Sequence, residues 1–213
     1  MNPVWTGQQR AYLVDGGFAY ASKIARERSG MDDFRMFQLW HMMGEAAKLP
    51  TGDVIEVGCA YGGSAFLIAV RARVAGVMDR IHLFDTFDGL VKASEVDTLK
   101  NGDMRGPELN EVGAFFKQYE FSDMRITQGV FPECANLEDV RFRFAHIDVD
   151  IYQSAKDAFA AIWPRMVKGG IVVIDDYGEA DCDGITKLVD ELLPMADAIW
   201  FLHGALQAIA VKR

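Results

Sequence analysis

The segment Asp53–Ser64, DVIEVGCAYGGS, decides the fold, because an apolar strand runs directly into a glycine-rich turn and then into a helix. Residues 64–75, SAFLIAVRARVA, predict that helix, with Ser64 as its N-cap. Glycines let a ligand approach the backbone, and a helix N-terminus offers free N–H donors to an anion. The glycines at 58, 62 and 63 do not follow the G-x-G-x-x-G spacing of nicotinamide- or flavin-binding turns. The alternative is a tight β–α connection that binds no ligand.

The rest of the chain continues the alternation of strands and helices. Strands are predicted at 81–85, 124–129, 142–148 and 170–175, and helices at 107–120, 152–166 and 183–193. Pro164 is expected to end or kink the second of these helices. A polar loop is expected over 88–106. Alternating apolar strands and helices predict an α/β fold with a doubly wound, mostly parallel sheet.

The two ends of the chain refine this prediction. Residues 198–203 and 206–211 read as strands joined by a tight turn at Gly204, and such a hairpin must be antiparallel. A seven-stranded, otherwise parallel sheet with this hairpin resembles the Rossmann-like fold of class I methyltransferases. Residues 8–49 are predicted to be helical. Residues 1–50 are therefore interpreted as a helical cap, lid or interface, and 51–213 as a domain that binds S-adenosylmethionine (SAM). The early methionines favour a core-facing helix over a hydrophobic lid.

Composition excludes several classes of function. The net charge of −9 makes nucleic acid a poor partner. No apolar run reaches the ~18 residues of a membrane span, and MNPVWTGQQR does not resemble a secretory signal. The three cysteines, at 59, 134 and 182, form no C-x-x-C motif, which favours reduced thiols. We expect a cytoplasmic protein with a small-molecule substrate and no nucleic-acid or membrane partner. Both a monomer and a homo-oligomer are consistent with this composition.

Asp85 closes the second predicted strand, in IHLFD. The carboxyl ends of parallel strands face the ligand crevice of an open α/β sheet. A carboxylate there can accept hydrogen bonds from both ribose hydroxyls of a nucleoside. The alternative is a solvated aspartate at the end of a strand. Asp88, three residues later, is interpreted as a loop residue.

Further carboxylates follow two later strands, HIDVD at 146–150 and IDDY at 174–177. Neighbouring strands lie about 4.8 Å apart, so Asp148 should converge with Asp175 and Asp176. Three unpaired carboxylates repel each other, and a divalent cation would relieve the repulsion. Oxygen ligands favour Mg²⁺, Mn²⁺ or Ca²⁺ over zinc. Helix capping is the alternative and is preferred for Asp150, while His146 is interpreted as a core histidine.

Five segments together resemble the macrocin O-methyltransferase family, whose members methylate sugar hydroxyls of natural products. They are VIEVGCAYGGS (54–64), DTFDGL (85–90), QGVFP (128–132), HIDVDIYQS (146–154) and GGIVVIDDY (169–177). The resemblance covers roughly residues 50–193. The spacing of Asp148 and Asp175 is also similar to that in catechol-type O-methyltransferases, where a comparable trio holds Mg²⁺.

The resemblance implies a role for each matching position. Asp148 would be a metal ligand, would contact the cofactor and would act as general base, while Asp175 and Asp176 would complete the metal site. Asp85 would bind the SAM ribose. The remaining cofactor-binding residues would be Glu56, Gly58, Tyr61, Gly62, Gly63, Ser64, Thr86, Gly129, Val130 and Phe131, the last three near the adenine.

The leading hypothesis is a SAM-dependent O-methyltransferase that uses a divalent metal, such as Mg²⁺, and a hydroxylated small-molecule acceptor. A second hypothesis keeps SAM but drops the metal, with Asp148 alone as general base. A third is a SAM- or nucleoside-binding module without catalytic activity. An NAD-dependent oxidoreductase is disfavoured by the glycine spacing. The sequence does not identify the acceptor.

Overall fold

A computed structural model describes residues 15–121, 124–203 and 205–213. The predicted helical residues 8–14 and the predicted turn residue Gly204 lie outside these ranges. The elements, in chain order, are α1 (Gly16–Ala25), α2 (Asp33–Ala46), β1 (Asp53–Val57), α3 (Gly63–Val74), β2 (Ile81–Asp85), α4 (Leu109–Gln118), β3 (Arg125–Gln128), β4 (Phe142–Ile147), α5 (Tyr152–Ile162), a 3₁₀ turn (Trp163–Arg165), β5 (Met166–Asp175), α6 (Asp183–Leu192), β6 (Ala198–His203) and β7 (Gln207–Lys212).

The seven strands form one sheet in the order β3-β2-β1-β4-β5-β7-β6. Strands β1 to β5 pair in parallel, whereas β7 is antiparallel to both β5 and β6. This arrangement confirms the predicted mostly parallel sheet with a C-terminal hairpin. The chain leaves β1 towards β2 and β3, and later returns to the other side of β1 as β4. Ligands bind at such a reversal of strand order, outside the carboxyl ends of the strands.

The two faces of the sheet carry different helices. On one face, α5 and α6 pack against β1, β4 and β5, with Phe159, Ile162 and Leu188 buried. On the other face, α1, α2 and α3 share a core with the sheet. Trp40 and Met43 of α2 are almost completely buried there, which confirms the core-facing interpretation. A fully buried apolar side chain contributes about 1.5–3 kcal/mol, so the N-terminal helices are an integral part of the fold.

Two local details differ from or extend the prediction. The predicted N-cap at Ser64 is wrong, because α3 begins at Gly63 and its N-cap is Gly62, which adopts a left-handed φ of 85°. Pro164 does end α5, and the 3₁₀ turn that contains it leads directly into β5. Within the described ranges, every helix is too short or too polar to cross a membrane.

Candidate active site

A cavity of about 800 Å³ lies at the carboxyl ends of the central parallel strands. This volume falls within the usual range of small-molecule sites. Most of the residues that sequence analysis assigned to a site line it: Gly58, Tyr61, Ser64, Asp85, Thr86, Gly129, Val130, Phe131, Asp148, Asp175 and Asp176. The connection between α1 and α2 and the loop that follows β2 complete the wall. The sheet therefore brings together residues that are far apart in sequence.

The turn after β1 packs closely against the carboxyl end of β4. Gly58 has a left-handed φ of 91°, and its N–H donates to the Phe84 carbonyl at 2.8 Å. A Cβ atom at Gly58 would overlap the carbonyl oxygen of Asp148. The Asp148 N–H in turn donates to the Val57 carbonyl at 2.9 Å. Only glycine permits this contact, so Gly58 fixes the position of the Asp148 backbone.

Gly62 and Gly63 lie behind the cavity wall, not on it. A side chain at Gly62 would meet the ring of Phe116, and one at Gly63 would meet the Ala25 carbonyl and Ser29. These glycines therefore allow close packing against α4 and the α1–α2 connection. Among the described residues, no side chain caps α3, so its first N–H groups remain available to an anion in the cavity.

Arg28 holds the α1–α2 connection against the glycine turn. Its Nε donates to the Tyr61 carbonyl at 2.8 Å, and its Nη2 lies 3.0 Å from Glu111 Oε1. The guanidinium also stacks on the Phe115 ring, 4.4 Å from the centroid. Sequence analysis missed Arg28, because its partners lie on the turn and on α4. The contacts make residues 26–31 a fixed part of the wall.

Asp85 stands at the end of β2, as predicted, with both oxygens in use. Oδ2 accepts from the Ala60 N–H at 2.8 Å, and Oδ1 accepts from the Phe87 N–H at 2.7 Å. Burial raises the pKa of Asp85, although these hydrogen bonds oppose the shift. Each carboxylate oxygen can accept more than one hydrogen bond. The carboxylate is thus oriented by the backbone and still able to accept from a ligand's hydroxyls.

Four aspartates gather at the ends of β4 and β5. In a first group, an oxygen of Asp148, an oxygen of Asp175 and a ring nitrogen of His146 all lie within 4.8 Å of one another. In a second group, an oxygen of Asp150, an oxygen of Asp176 and the sulfur of Cys182 do the same. Asp175 is 1% exposed, and neither of its oxygens has a hydrogen-bond partner among the described residues. The predicted convergence is therefore present for Asp148 and Asp175, whereas Asp176 lies with Asp150 in the second group.

The crowding of these carboxylates perturbs their protonation. Burial and the charges of Asp175 and Asp176 raise the pKa of Asp148 well above its usual range. Burial and the Asp175 charge raise the pKa of Asp150 to about 6. The same two causes raise the pKa of Asp176 to about 7. These carboxyls therefore retain protons at a higher pH than isolated aspartates, because the surroundings do not neutralise the charge of the fully ionised cluster.

Among the described residues, Arg35 is the only arginine or lysine whose side chain contacts this cluster. Its Nη1 lies 3.1 Å from Asp176 Oδ1 and 3.6 Å from Asp175 Oδ2. It projects from the first turn of α2, and its Nε lies 3.3 Å from Asp32 Oδ2. Sequence analysis missed it, since nothing in the N-terminal pattern connects α2 with the ends of β4 and β5.

Glu56 and His146 form a buried pair behind the wall. Both are fully buried, and His146 Nδ1 lies 2.7 Å from Glu56 Oε1. Burial opposes the charged form of His146, but the hydrogen bond and charge of Glu56 outweigh it and raise the pKa of His146. His146 Nε2 lies 3.9 Å from Asp175 Oδ2. Glu56 was predicted to bind the cofactor, yet it does not line the cavity; it supports His146 behind Asp175.

The preferred interpretation of Asp150 as a helix cap is wrong. The N-cap of α5 is Ile151, and the Tyr152 N–H is accepted by Asp97 Oδ1 at 2.8 Å. Asp97 is buried and also binds Ser94 through its other oxygen. It thereby ties the loop after β2 to α5, and this loop supplies Leu90, Val91, Leu99 and Met104 to the cavity wall. Asp150 does not cap α5. It lines the cavity, and its backbone adopts a left-handed φ of 61°.

The strand order and the cavity at the strand ends define a class I methyltransferase fold. The solved O-methyltransferase NovP has the same fold, with a TM-score of 0.72 over 84% of this chain and 79% of that one, at 20% identity. An O-methyltransferase from Bacillus cereus in complex with SAH aligns with a TM-score of 0.59 over 93% of this chain and 91% of that one, at 13% identity.

Sequence comparison identifies the family. A model of the macrocin O-methyltransferase (TylF) family matches residues 28–192, and the chain belongs to this family. One relative is the 8-demethyl-8-(2,3-dimethoxy-alpha-L-rhamnosyl)-tetracenomycin-C 4'-O-methyltransferase of Streptomyces olivaceus. It is 29% identical in an alignment of 143 residues, and the alignment covers 62% of this chain and 55% of the relative. The chain spans between 55% and 66% of the length of the curated relatives that it matches.

Proposed function

We propose that this protein is a SAM-dependent O-methyltransferase that methylates a hydroxyl of a small molecule with the help of a divalent cation. One observation carries the proposal: a nucleoside-type site at Asp85 and a carboxylate cluster at Asp148 share one cavity. Methyl transfer needs the sulfonium donor and the acceptor oxygen held in line, and a single cavity can hold both. Membership of the macrocin O-methyltransferase family supports the same activity.

The cofactor is proposed to lie along the ends of β1, β2 and β3. The free N–H groups at the start of α3 would bind the carboxylate of its methionine part. Asp85 would accept hydrogen bonds from the ribose hydroxyls, because two backbone N–H donors already fix its orientation. Gly129, Val130 and Phe131 would lie beside the adenine, and these residues line the same cavity.

Asp148, Asp175 and Asp176 are proposed to hold the cation. The donor set fits a hard divalent ion such as Mg²⁺, because it consists of carboxylate oxygens. The buried oxygens of Asp175 without hydrogen-bond partners among the described residues fit the same role, since unpaired buried charge is costly. When bound, such an ion lowers the pKa of a hydroxyl that it contacts. Asp148, at the cavity surface, would accept the proton of the acceptor hydroxyl.

Arg35 favours a second candidate, in which the reaction is metal-independent. Its guanidinium already contacts Asp175 and Asp176, so it can supply part of the positive charge that a cation would bring. Asp148 would then act as general base without a metal. The two candidates share the cofactor site and differ only in what neutralises the carboxylates.

The acceptor is proposed to be a sugar or a related hydroxylated compound. Four arginines and eight acidic residues line the cavity: Arg26, Arg28, Arg35, Arg105, Glu27, Asp85, Asp148, Asp150, Asp175, Asp176, Glu179 and Asp181. The lining therefore offers both donors and acceptors of hydrogen bonds to the hydroxyls of a sugar. The sugar-modifying relative supports a glycosidic acceptor. The N-terminal segment would act as a cap, because residues 26–31 and Arg35 form part of the wall.

The test combines binding and turnover. Calorimetry should detect binding of SAM and S-adenosylhomocysteine, and Asp148→Asn should reduce methyl transfer by about 10²–10⁴-fold while the fold is retained. Excess EDTA should abolish turnover, and added Mg²⁺ should restore it. Full activity in EDTA would select the metal-independent candidate, and absence of cofactor binding would refute both.

A further inference from the structure

We infer that Arg35 is a built-in counter-ion that competes with the divalent cation for Asp175 and Asp176, so that helix α2 sets the cation affinity of the site. This inference rests on the metal site of the proposed function. It begins from geometry: one guanidinium nitrogen, Nη1, makes both contacts, at 3.1 Å to Asp176 and 3.6 Å to Asp175. A cation that uses the same oxygens must displace this nitrogen or share them with it.

Arg35 alone does not satisfy the cluster. Its contact with Asp175 is longer than a hydrogen bond, and both oxygens of that buried carboxylate lack hydrogen-bond partners among the described residues. Arg35 and the buried His146, whose Nε2 lies 3.9 Å from Asp175 Oδ2, face four carboxylates, including Asp148 and Asp150. The carboxylates outnumber these positive groups, so their oxygens can still bind a divalent cation.

If a cation displaced Arg35 from Asp175 and Asp176, the guanidinium would keep its ion pair with Asp32. Its Nε already contacts Asp32 Oδ2 at 3.3 Å. Asp32 is held in place as the N-cap of α2, where its Oδ1 accepts from the backbone N–H of Arg35 at 3.0 Å. The Arg35 side chain is 15% exposed, so it adjoins solvent and is not enclosed by protein. The guanidinium can therefore lose its contacts with Asp175 and Asp176 and still keep its ion pair with Asp32.

The consequence is a coupling between α2 and the metal. Arg35 stabilises the carboxylates when no cation is bound, and the cation must overcome this stabilisation in order to bind. Removal of the guanidinium charge should therefore tighten cation binding. Because the charge lies within 4 Å of two carboxylates, we expect the dissociation constant to fall by at least about tenfold.

The test measures Mn²⁺ binding to the full chain by calorimetry and by electron paramagnetic resonance, without any turnover. Arg35→Met removes the charge, and Arg35→Lys retains it. Arg80→Met is the matched control, because Arg80 is exposed and lies at the amino end of β2, whereas the cluster lies at the carboxyl ends of the strands. Circular dichroism establishes that each variant is folded. We expect tighter Mn²⁺ binding in Arg35→Met alone, and an affinity near that of the wild type in the other two.

The outcomes separate the inference from the proposed function. If the wild type binds Mn²⁺ and Arg35→Met binds it equally or more weakly, the competition is refuted while the metal site stands. If only Arg35→Met binds Mn²⁺, the competition is supported and the native chain is metal-independent. If no variant binds Mn²⁺, the metal site is refuted, and the inference with it.

Discussion

Replacement of Gly58 by alanine tests how the turn after β1 positions Asp148. The new Cβ would overlap the Asp148 carbonyl oxygen, and the residue would have to keep a φ of 91°. A left-handed backbone costs an alanine about 1–2 kcal/mol, and the overlap requires a backbone shift of about 1–3 kcal/mol. We therefore expect the free energy of unfolding to fall by about 2–5 kcal/mol. S-adenosylhomocysteine should also bind more weakly, because the turn and the end of β4 must separate.

Gly76→Ala is the matched control for this substitution. Gly76 also has a left-handed φ, of 75°, but a Cβ atom there would meet nothing within 4 Å. It should cost only the backbone part, about 1–2 kcal/mol, and leave cofactor binding unchanged. Urea unfolding followed by tryptophan fluorescence gives the free energies, and calorimetry gives the affinities. If Gly58→Ala matched Gly76→Ala in both measurements, the claimed contact with Asp148 would be refuted.

Three further predictions concern the loop, the turn and the acidic cluster. Asp97→Ala removes the carboxylate that accepts a hydrogen bond from the first N–H of α5, and it should lower the free energy of unfolding by about 1–2 kcal/mol. An unchanged urea midpoint would contradict this. Arg28→Met should weaken binding of S-adenosylhomocysteine, because Arg28 holds the glycine turn. Arg73→Met is the control: it removes an arginine that also stacks on a phenylalanine but lies away from the cavity, and it should leave this affinity unchanged. Equal affinities of the two variants would show that Arg28 does not hold the turn. Because the pKa values of Asp150 and Asp176, about 6 and 7 in the folded chain, exceed the unfolded value near 4, the native state binds more protons. The stability of the metal-free protein should therefore fall between pH 4 and pH 7, and denaturation in chelator that showed stability rising over this range would contradict the assignment.

The candidate site was only partly predictable from sequence. Asp85, Asp148, Asp175 and Asp176 each follow a recognisable strand, and the ends of parallel strands meet at one edge of a sheet. Their convergence could therefore be predicted from the pattern alone. Asp150 was assigned to capping because it precedes a helix, and only the folded chain shows that Asp97, from a distant loop, takes that role instead.

The sequence by itself determined the alternation of strands and helices, the glycine turn at Gly58 and the antiparallel C-terminal hairpin. These follow from local preferences: apolar runs, glycine spacing and tight turns act over a few neighbouring residues. Tertiary structure alone decided the contact of Arg35 with Asp176, the burial of Glu56 behind the wall, and the pairing of Glu56 with His146. These contacts join residues separated by 90 or more positions. Local spacing carries no information about such pairs, because packing of separate elements brings them together.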